Sequence, residues 1–356
     1  MYFNAEIKIM YLRFMKWMFF GSCILSLTIH AQSLRIAFGS CSHQNQSLPI
    51  LKQIGDMQPD YFIYLGDNIY GDTRDSAVLA NKYAQLAANP NYQYLKSKTK
   101  VLATWDDHDY GENDAGKYYP MKDISKDLFL RFFEEPQNSS RYDHPGIYSS
   151  YEFKKRGQKI QLILLDMRTF RSNLCRYDGN TMRKDSVFFY DIEYVPCEGK
   201  DSTFLGEAQW TWLEQQLSKK ADLRIIASST QFGHSYNGYE SWNNFPSEKQ
   251  RMSQLILKTK AEGVFFISGD VHYAELSEEK FEGIYPLYDL TASGLSQSWH
   301  FATPNSNRIQ GPVMENHFGY LDIDVRKKVL TCSIIDGNST ERIQLEIPWK
   351  SLRFND

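Results

Sequence analysis

The stretch Tyr61-Phe62-Ile63-Tyr64-Leu65-Gly66-Asp67-Asn68-Ile69-Tyr70 decides the fold class of this chain. Its first five residues form a continuous apolar run, which is typical of a buried β-strand. Gly66 and Asp67 follow directly, so a small residue and a carboxylate stand at the carboxyl end of that strand. Open α/β sheets place their sites at the carboxyl ends of strands, so the stretch predicts both a sheet and a site.

Strands and helices alternate on both sides of this stretch. We expect further strands at 34–38, 101–105, 147–153, 160–165, 223–227, 264–267, 285–292, 320–325, 329–335 and 343–347. Helices are expected at 48–57, 77–88, 92–98, 128–133 and 206–217. Alternating elements that close with antiparallel pairs predict a layered α/β sandwich. No repeat or linker divides the 356 residues, so we predict one domain over 32–356, with an insertion at about 171–203.

Four segments share the pattern of a short strand followed by residues of metal-ligand type. They are Gly39-Ser40-Cys41, Gly66-Asp67-Asn68-Ile69-Tyr70, Asp106-Asp107-His108-Asp109 and Gly269-Asp270-Val271-His272. Each alone has a plainer reading, as a turn, a core cysteine, a structural histidine or a solvated loop. Together, clustered carboxylates would repel one another unless cations lay among them, and Asp with His suits a pair of divalent or trivalent metals.

These segments resemble the alkaline phosphatase D (PhoD-like) branch of the calcineurin-like metallophosphatases, which also contains relatives acting on phosphodiesters. The Gly-Asp-x-x-Tyr and Asp-Asp-His-Asp segments are the most specific, and the resemblance runs from about Arg35 to Ile335. Asp166-Met167-Arg168 and Leu205-Gly206-Glu207-Ala208-Gln209-Trp210 are also similar to that family. The resemblance implies a four-layer α/β/β/α sandwich and an exported, metal-dependent phosphoester hydrolase.

The resemblance also implies a set of metal ligands. Asp67 would bridge two metals, and Cys41, Tyr70 and His272 would complete the first site. Ferric iron is the expected metal there, because a phenolate and a thiolate are ligands that suit it. The second site is expected to be rich in oxygen ligands and suited to calcium, with other divalent metals as alternatives. Its ligands would be Asp107 and Asp270, where related purple-type phosphatases have Asn and His. Gln231 falls where those relatives place another histidine.

Three further residues are candidates for catalysis. His108 would protonate the leaving alkoxide or bind a phosphate oxygen, and Asn113 would reach the substrate or the second metal. Arg168 is a candidate phosphate clamp, because guanidinium matches phosphate geometry, and a surface or carboxylate-paired arginine is the alternative. Two other functions stay open: a phospholipase-type lipid phosphodiesterase with the same metal residues, and a non-catalytic metal-binding surface module.

The N-terminus has the composition of an export signal. Lys8, Arg13 and Lys16 precede an apolar run at 17–29, which is short for a membrane span, and cleavage is expected after Ala31. An uncleaved anchor and a lipid-modified Cys23 are the alternatives. We therefore expect a periplasmic, extracellular or surface protein with no stable span after cleavage. The formal net charge of −3 gives no global basic field for nucleic acid. The resemblance implies a phosphate ester as the partner.

Cysteines and aromatic residues complete the expectations. Cys175 and Cys197 are the expected disulfide pair, and Cys332 is expected to be a buried small hydrophobe. Six aromatic side chains are expected near the mouth of the site, with packing of the loops as the alternative: Tyr110, Tyr118, Tyr236, Tyr239, Trp242 and Trp299. Because no helix is expected after the last strand, we also expect a pocket without a C-terminal lid.

Overall fold

A computed structural model describes residues 33–179, 192–199, 202–236 and 238–355. The predicted leader and residues 180–191 of the predicted insertion lie outside the described residues. The strands are β1 (Ser33–Gly39), β2 (Tyr61–Leu65), β3 (Lys100–Thr104), β4 (Ser149–Lys155), β5 (Gln158–Leu164), β6 (Cys175–Arg176), β7 (Tyr194–Val195), β8 (Leu223–Ala227), β9 (Val264–Ser268), β10 (Ala274–Glu279), β11 (Leu287–Ala292), β12 (Arg308–Val313), β13 (His317–Asp324), β14 (Val329–Asp336) and β15 (Glu341–Pro348). The α-helices are α1 (Pro49–Met57), α2 (Ser76–Ala88), α3 (Pro90–Lys98), α4 (Asp107–Tyr110), α5 (Lys122–Phe132), α6 (Gly206–Leu217) and α7 (Pro246–Thr259).

Two large mixed sheets form the centre of the fold. The first has the order β15-β14-β13-β1-β2-β3, and the second has the order β12-β10-β11-β9-β8-β5-β4. Within the first sheet β1, β2 and β3 are parallel, and within the second β5, β8, β9 and β11 are parallel. The parallel strands of each sheet therefore begin at one end of the molecule and finish at the other.

Side chains of the strands alternate between two hydrophobic cores, which shows how the layers stack. Ile63 and Leu65 of β2 belong to the core that contains both sheets, whereas Phe62 and Tyr64 face a core shared with α1, α2, α3 and α5. The second sheet has α6 and α7 on its outer side, through residues such as Trp210 and Ile256. The predicted α/β sandwich is confirmed in this mixed α/β arrangement with two main sheets.

The elements agree with most of the sequence predictions. The strands at 61–65 and 223–227 and the helix at 206–217 have the predicted bounds, and the other predicted elements are present with shifted ends. Six of the strands and α-helices that the structure describes were not predicted: α4, α7, β6, β7, β10 and β12. Among the described residues no helix has the length and apolarity needed to cross a bilayer.

A disulfide joins Cys175 to Cys197, with 5.4 Å between their Cα atoms, and so confirms the predicted pair. It lies beside the small ribbon of β6 and β7, within the segment predicted as an insertion. The backbone N–H of Cys197 donates to Asn244 O at 2.7 Å, which ties the ribbon to the body of the fold. Cys332 is fully buried in β14, as predicted.

Candidate metal centre

The two sheets bring the ends of four strands to one place. Cys41 follows β1, Asp67 follows β2, Asp107 follows β3 and Asp270 follows β9. Their side chains meet in groups whose ligand atoms lie within 4.8 Å of one another. The candidate ligands are therefore carried by short turns at the carboxyl ends of parallel strands, where the sequence predicted them.

The backbone is held in an unusual conformation at these turns. Cys41, Asp67, Asp270 and His272 have φ values of 61°, 48°, 77° and 57°, in the left-handed region that non-glycine residues seldom adopt. Such conformations cost of order 1–3 kcal/mol each and cluster at functional sites. Four of the predicted ligands therefore have this strained conformation, which also occurs at described residues outside the site.

Gly66 has a specific steric role beside Asp67. Its φ is 104°, and a Cβ at this position would lie 2.4 Å from the Cβ of Asp106. The absence of a side chain thus lets the turn after β2 approach the turn after β3. This contact places Asp67 next to the carboxylates of the third strand.

The first ligand group joins Cys41, Asp67 and His272. Cys41 Sγ lies 3.3 Å from Asp67 Oδ2, and Tyr70 Oη lies 3.4 Å from His272 Nε2. The structure therefore places all four residues predicted for the first metal within one small volume. Ser293, which follows β11, was not predicted and lies 3.2 Å from Cys41 Sγ and 2.9 Å from the backbone nitrogen of His272.

The second set of ligand groups is made of carboxylates. Asp67 and Asp107 meet with His108, and Asp106 and Asp107 meet with Asp270. Asp67 and Asp107 are 1% and 4% exposed, yet Oδ1 of each has no hydrogen-bond partner among the described residues. Buried polar atoms are normally satisfied, so these oxygens fit a site completed by a cation.

Protonation equilibria support the same conclusion. Burial raises the pKa of Asp67 and of the Cys41 thiol, and it raises the pKa of Tyr70 well above its ordinary value. A metal ion reverses this effect, because its charge stabilises the ionised ligand. Burial also lowers the pKa of His272 to about 4, which leaves a neutral imidazole with a lone pair for a metal.

His108 and Asn113 both line the cleft above these ligands. The Nδ1 atom of His108 lies 2.7 Å from Asp72 Oδ1, which fixes the orientation of the ring. Asn113 is exposed, and its amide donates to Asp114 Oδ2 at 2.8 Å. Both positions are compatible with contact to a substrate, so the roles of His108 and Asn113 in catalysis stay predictions.

Arg168 occupies a different position from the one predicted for a phosphate clamp. It is fully buried, contacts Asp106, lies 2.6 Å from Glu240 Oε2 and lies 3.6 Å from Asp107 Oδ1. The arginine does not line the cleft. Because its guanidinium faces carboxylates on several sides, the geometry corrects the clamp assignment in favour of the carboxylate-paired alternative.

Sequence reasoning missed two acidic residues that lie at the site. Asp114 and Glu240 form a further group with Asp107, and both line the cleft. The backbone N–H of Asp114 donates to Asp107 Oδ2 at 2.7 Å, while Arg171 Nε lies 3.3 Å from Glu240 Oε1. Both lie in loops several residues beyond a strand, so the strand-end pattern could not have found them.

The aromatic residues divide between the two alternatives. Tyr239 and Trp299 line the cleft, with ring centroids 5.2 Å apart. The backbone N–H of Trp299 donates to His272 O at 2.9 Å. Tyr110 and Trp242 are instead fully buried in the packing of the loops. Fewer of the predicted aromatic residues line the cleft than expected. Tyr194 of the ribbon also lines it and was not predicted.

Gln231 lies outside the cleft. Its amide nitrogen donates to Glu275 Oε1 at 3.0 Å and to Thr291 Oγ1 at 3.1 Å. Both contacts belong to a buried polar network between β10 and β11. The metal role considered for this residue therefore has no support in the geometry.

Comparison with known proteins points to one family. The PhoD-like phosphatase family model matches residues 36–334. Alkaline phosphatase D of Bacillus subtilis is 24% identical over 277 residues, which cover 67% of this chain and 46% of that protein. The chain thus spans about half the length of this curated relative.

Solved structures show the same fold. A structure of PhoD superposes with a TM-score of 0.67 at 17% identity, covering 89% of this chain and 68% of the other. A dimetal phosphatase from Danio rerio superposes with a TM-score of 0.53 at 14% identity, covering 89% of this chain and 99% of the other. At such identities the likeness concerns the fold, and the function depends on the residues of the site.

Proposed function

The chain belongs to the PhoD-like phosphatase family, and we propose that it is an exported, metal-dependent hydrolase of phosphate esters. The observation that carries the proposal is the convergence of Cys41, Asp67, Tyr70 and His272 with Asp107 and Asp270 at one end of the sandwich. A non-catalytic surface module would be expected to have lost some of these ligands. Because every predicted ligand position is occupied by a residue that can bind a metal, and a cleft opens above these residues, an enzyme is favoured.

The donor atoms suit two kinds of metal ion. Cys41, Tyr70, His272 and Asp67 would hold ferric iron, since thiolate, phenolate and imidazole are ligands of a strong Lewis acid. Asp67, Asp107 and Asp270 offer oxygen atoms, which calcium prefers, and other divalent ions remain alternatives. Metals held there would supply Lewis acidity toward water and phosphate oxygens.

The side chains of the cleft have separate roles in this proposal. His108, held through Nδ1 by Asp72, would donate a proton or hydrogen bond to the leaving oxygen. Asn113 would bind a phosphate oxygen from the rim of the cleft. Arg168 is a positioning residue in this proposal, because its guanidinium holds Asp106, Asp107 and Glu240 from beneath the site.

Export is part of the proposal and has support outside the leader. Disulfides persist in oxidising compartments and are rare in the cytosol, so the Cys175–Cys197 bond favours a location outside the cytoplasm. The basic and apolar composition of residues 1–31 agrees with this. The periplasm, the cell surface and the extracellular space are all consistent with a disulfide.

The function is tested with paired aryl monoester and diester substrates at alkaline pH, with calcium present and metal content measured on the same sample. We expect hydrolysis that chelation abolishes and that metal addition restores. Diesters should react at least comparably to monoesters. The cleft has a volume of about 180 Å³, less than the roughly 300 Å³ of an enclosed small-molecule pocket, so a second ester group would extend past Tyr239 and Trp299.

Two outcomes would count against these proposals separately. Absence of hydrolysis by metal-loaded protein would reject the enzymatic function. A preference for the monoester of more than about a hundredfold, nearly 3 kcal/mol in transition-state binding, would instead reject the open pocket while leaving the hydrolase intact.

Cys41→Ala is expected to lose iron, the charge-transfer colour of the iron site and hydrolysis, while the protein remains folded. Cys41 is fully buried beside Asp67 and Ser293, which supports a role as a ligand rather than as a surface thiol. Cys332→Ala is the matched control, because Cys332 is the other buried free cysteine and lies in β14. Full iron content and turnover in the Cys41 variant would overturn the assignment.

A further inference from the structure

The end of the sandwich opposite the metal centre carries a concentration of basic side chains. Because β1, β2, β3, β5, β8 and β9 all begin there, the turns that precede these strands share one face. The turn between β13 and β14 and the residues after β15 join the same face, since Ser33 pairs with Asp324 and Val329 pairs with Pro348. We call this end the basic face, defined by the exposed residues Lys98, Lys100, Lys154, Arg156, Lys219, Lys220, Lys260, Arg326, Lys327, Lys328 and Lys350.

Contacts across the two sheets make the basic face continuous. Lys155 Nζ donates to the carbonyl oxygen of Ser33 and lies 3.6 Å from Asp60, which joins the β4–β5 turn to the first sheet. The N–H of Gly263 donates to Leu352 O at 2.8 Å, and the N–H of Trp349 donates to Lys328 O at 2.9 Å. The lysine-bearing turns of both sheets therefore form one surface.

The positive charge of this face is largely uncompensated. Among the described residues, only Lys327 of the basic face forms an ion pair, with Asp324 at 3.8 Å. Most acidic residues at or beside this end form ion pairs with other basic residues: Asp56 with Lys52, Asp60 with Lys155, Glu134 with Lys96, Glu152 with Lys159, Glu262 with Arg353 and Glu278 with Lys280. Asp222 forms no ion pair among the described residues and accepts a hydrogen bond from the backbone N–H of Lys159, a partner without opposite charge. Glu282 and Glu346 are the exposed carboxylates beside it that lack an ion pair within the described part of the chain.

Opposite charge dominates the other end of the molecule. The cleft is lined by Asp67, Asp107, Asp114, Glu193, Glu240 and Asp270. The formal net charge of the whole chain is only −3, so the two ends differ strongly while the total stays small. A molecule with this charge separation has a preferred orientation near any charged surface.

We propose that the basic face docks the protein on the anionic surface of a lipid bilayer, with the metal centre turned away from the lipids. The position of the leader favours a bilayer over a soluble polyanion. The apolar run of the leader ends at Ile29, and β1 begins at Ser33 on the basic face. Three residues separate Ile29 from Ser33, a span of at most about 14 Å when extended, so until the leader is cleaved its insertion in a membrane would hold the basic face close to the headgroups.

At that distance electrostatic attraction is effective and depends on salt. The Debye length is about 10 Å at 0.1 M ionic strength, similar to the span of the connecting residues. Clustered lysines and arginines near anionic lipids bind them additively, and this attraction persists after cleavage of the leader. The docked orientation leaves the cleft open to esters in solution rather than to lipids of the same membrane.

The experiment is co-sedimentation of the exported protein with phosphatidylcholine vesicles, with and without about a third of phosphatidylglycerol. At roughly 50 mM salt we expect at least a tenfold higher partition onto the anionic vesicles, and this difference should disappear at roughly 500 mM salt. Lys219→Glu/Lys220→Glu and Arg326→Glu/Lys327→Glu/Lys328→Glu should each lower the partition at least about tenfold. Hydrolysis of a soluble ester by both variants should stay unchanged, which also shows that they are folded.

Arg74→Glu/Lys82→Glu is the matched control, because it reverses two charges on and before α2, outside the basic face. This variant should partition within about twofold of the parent protein, since a charge more than a Debye length from the surface is screened. Equal partition onto neutral and anionic vesicles, or an equal loss in the control, would overturn the proposal. Binding to soluble polyphosphate without binding to vesicles would also overturn it, in favour of a soluble polyanion.

Discussion

Asp67→Asn is expected to lower kcat/KM for a phosphate ester by at least about a thousandfold, which corresponds to about 4 kcal/mol of transition-state stabilisation. Asp67 belongs both to the group with Cys41 and His272 and to the group with Asp107 and His108. Asparagine keeps the size of the side chain but lacks the negative charge that two cations share. Metal analysis of the purified variant should therefore show loss from both sites.

The same substitution should leave the metal-free protein at least as stable as the parent. Asp67 is buried within 4.8 Å of other ligand carboxylates, so removing its charge relieves repulsion when no cation is present. Chemical unfolding in a chelator measures this directly. A variant that has lost activity and stability together, with its metals retained, would contradict the bridging role.

Asp109→Asn is the control for Asp67, because it alters a buried carboxylate of the neighbouring segment. Asp109 accepts hydrogen bonds from the backbone of Asp106 at 2.6 Å and from Asn68, and it belongs to none of the ligand groups. Loss of a buried hydrogen bond costs about 1–3 kcal/mol of stability. This variant should be less stable but should keep its metal stoichiometry.

The sequence predicted those elements whose patterning follows from burial alone. Tyr61–Leu65 is a continuous apolar run, and Leu223–Ala227 is apolar apart from the buried Arg224, because both faces of each strand pack inside the sandwich. The convergence of the candidate ligands was predictable for a related reason, since these residues follow such strands within a few residues. A short turn leaves the chain few alternative paths, so a residue that follows a strand closely in sequence also lies close to the end of that strand in space.

Buried charged residues concealed two of the elements that were not predicted. The helix α7 buries Glu248 and Lys249, whose partners are Trp210 Nε1 at 2.9 Å and Glu279 at 2.6 Å. The strand β10 buries Glu275, which Arg308 Nε contacts at 2.5 Å. Their partners come from distant segments, so a local hydrophobic pattern could not show that these polar residues belong to buried elements.

Arg168 shows the same limit within the site. Its position after β5 and its affinity for phosphate favoured a clamp, because the sequence does not show how many carboxylates surround it. In the structure Asp106, Asp107 and Glu240 all lie around the guanidinium. The number of nearby buried carboxylates, rather than the chemistry of phosphate, determines the role of this residue.

Arg168→Leu is expected to lower the free energy of unfolding by about 3–5 kcal/mol, because removing one partner of a buried ion pair leaves the other charges uncompensated. Arg131→Leu is the matched control: its side chain and that of its partner Asp127 are 70% and 47% exposed, and such surface pairs contribute about 0–1 kcal/mol. Denaturant unfolding with and without metals measures both. The phosphate-clamp role instead predicts unchanged stability with KM raised more than about tenfold, an outcome that would restore that assignment.

A second substitution separates the lost ion pair from simple loss of packing. Arg168→Leu removes volume from a fully buried position, and a cavity alone would also destabilise the fold. Adding Asp106→Asn removes the carboxylate that Arg168 contacts, so the double variant should recover part of the stability that Arg168→Leu loses. A cavity would give no such recovery, because Asp106→Asn does not refill the space. Recovery of stability without recovery of turnover would identify Arg168 as the group that holds the acidic turn after β3 in place for the metals.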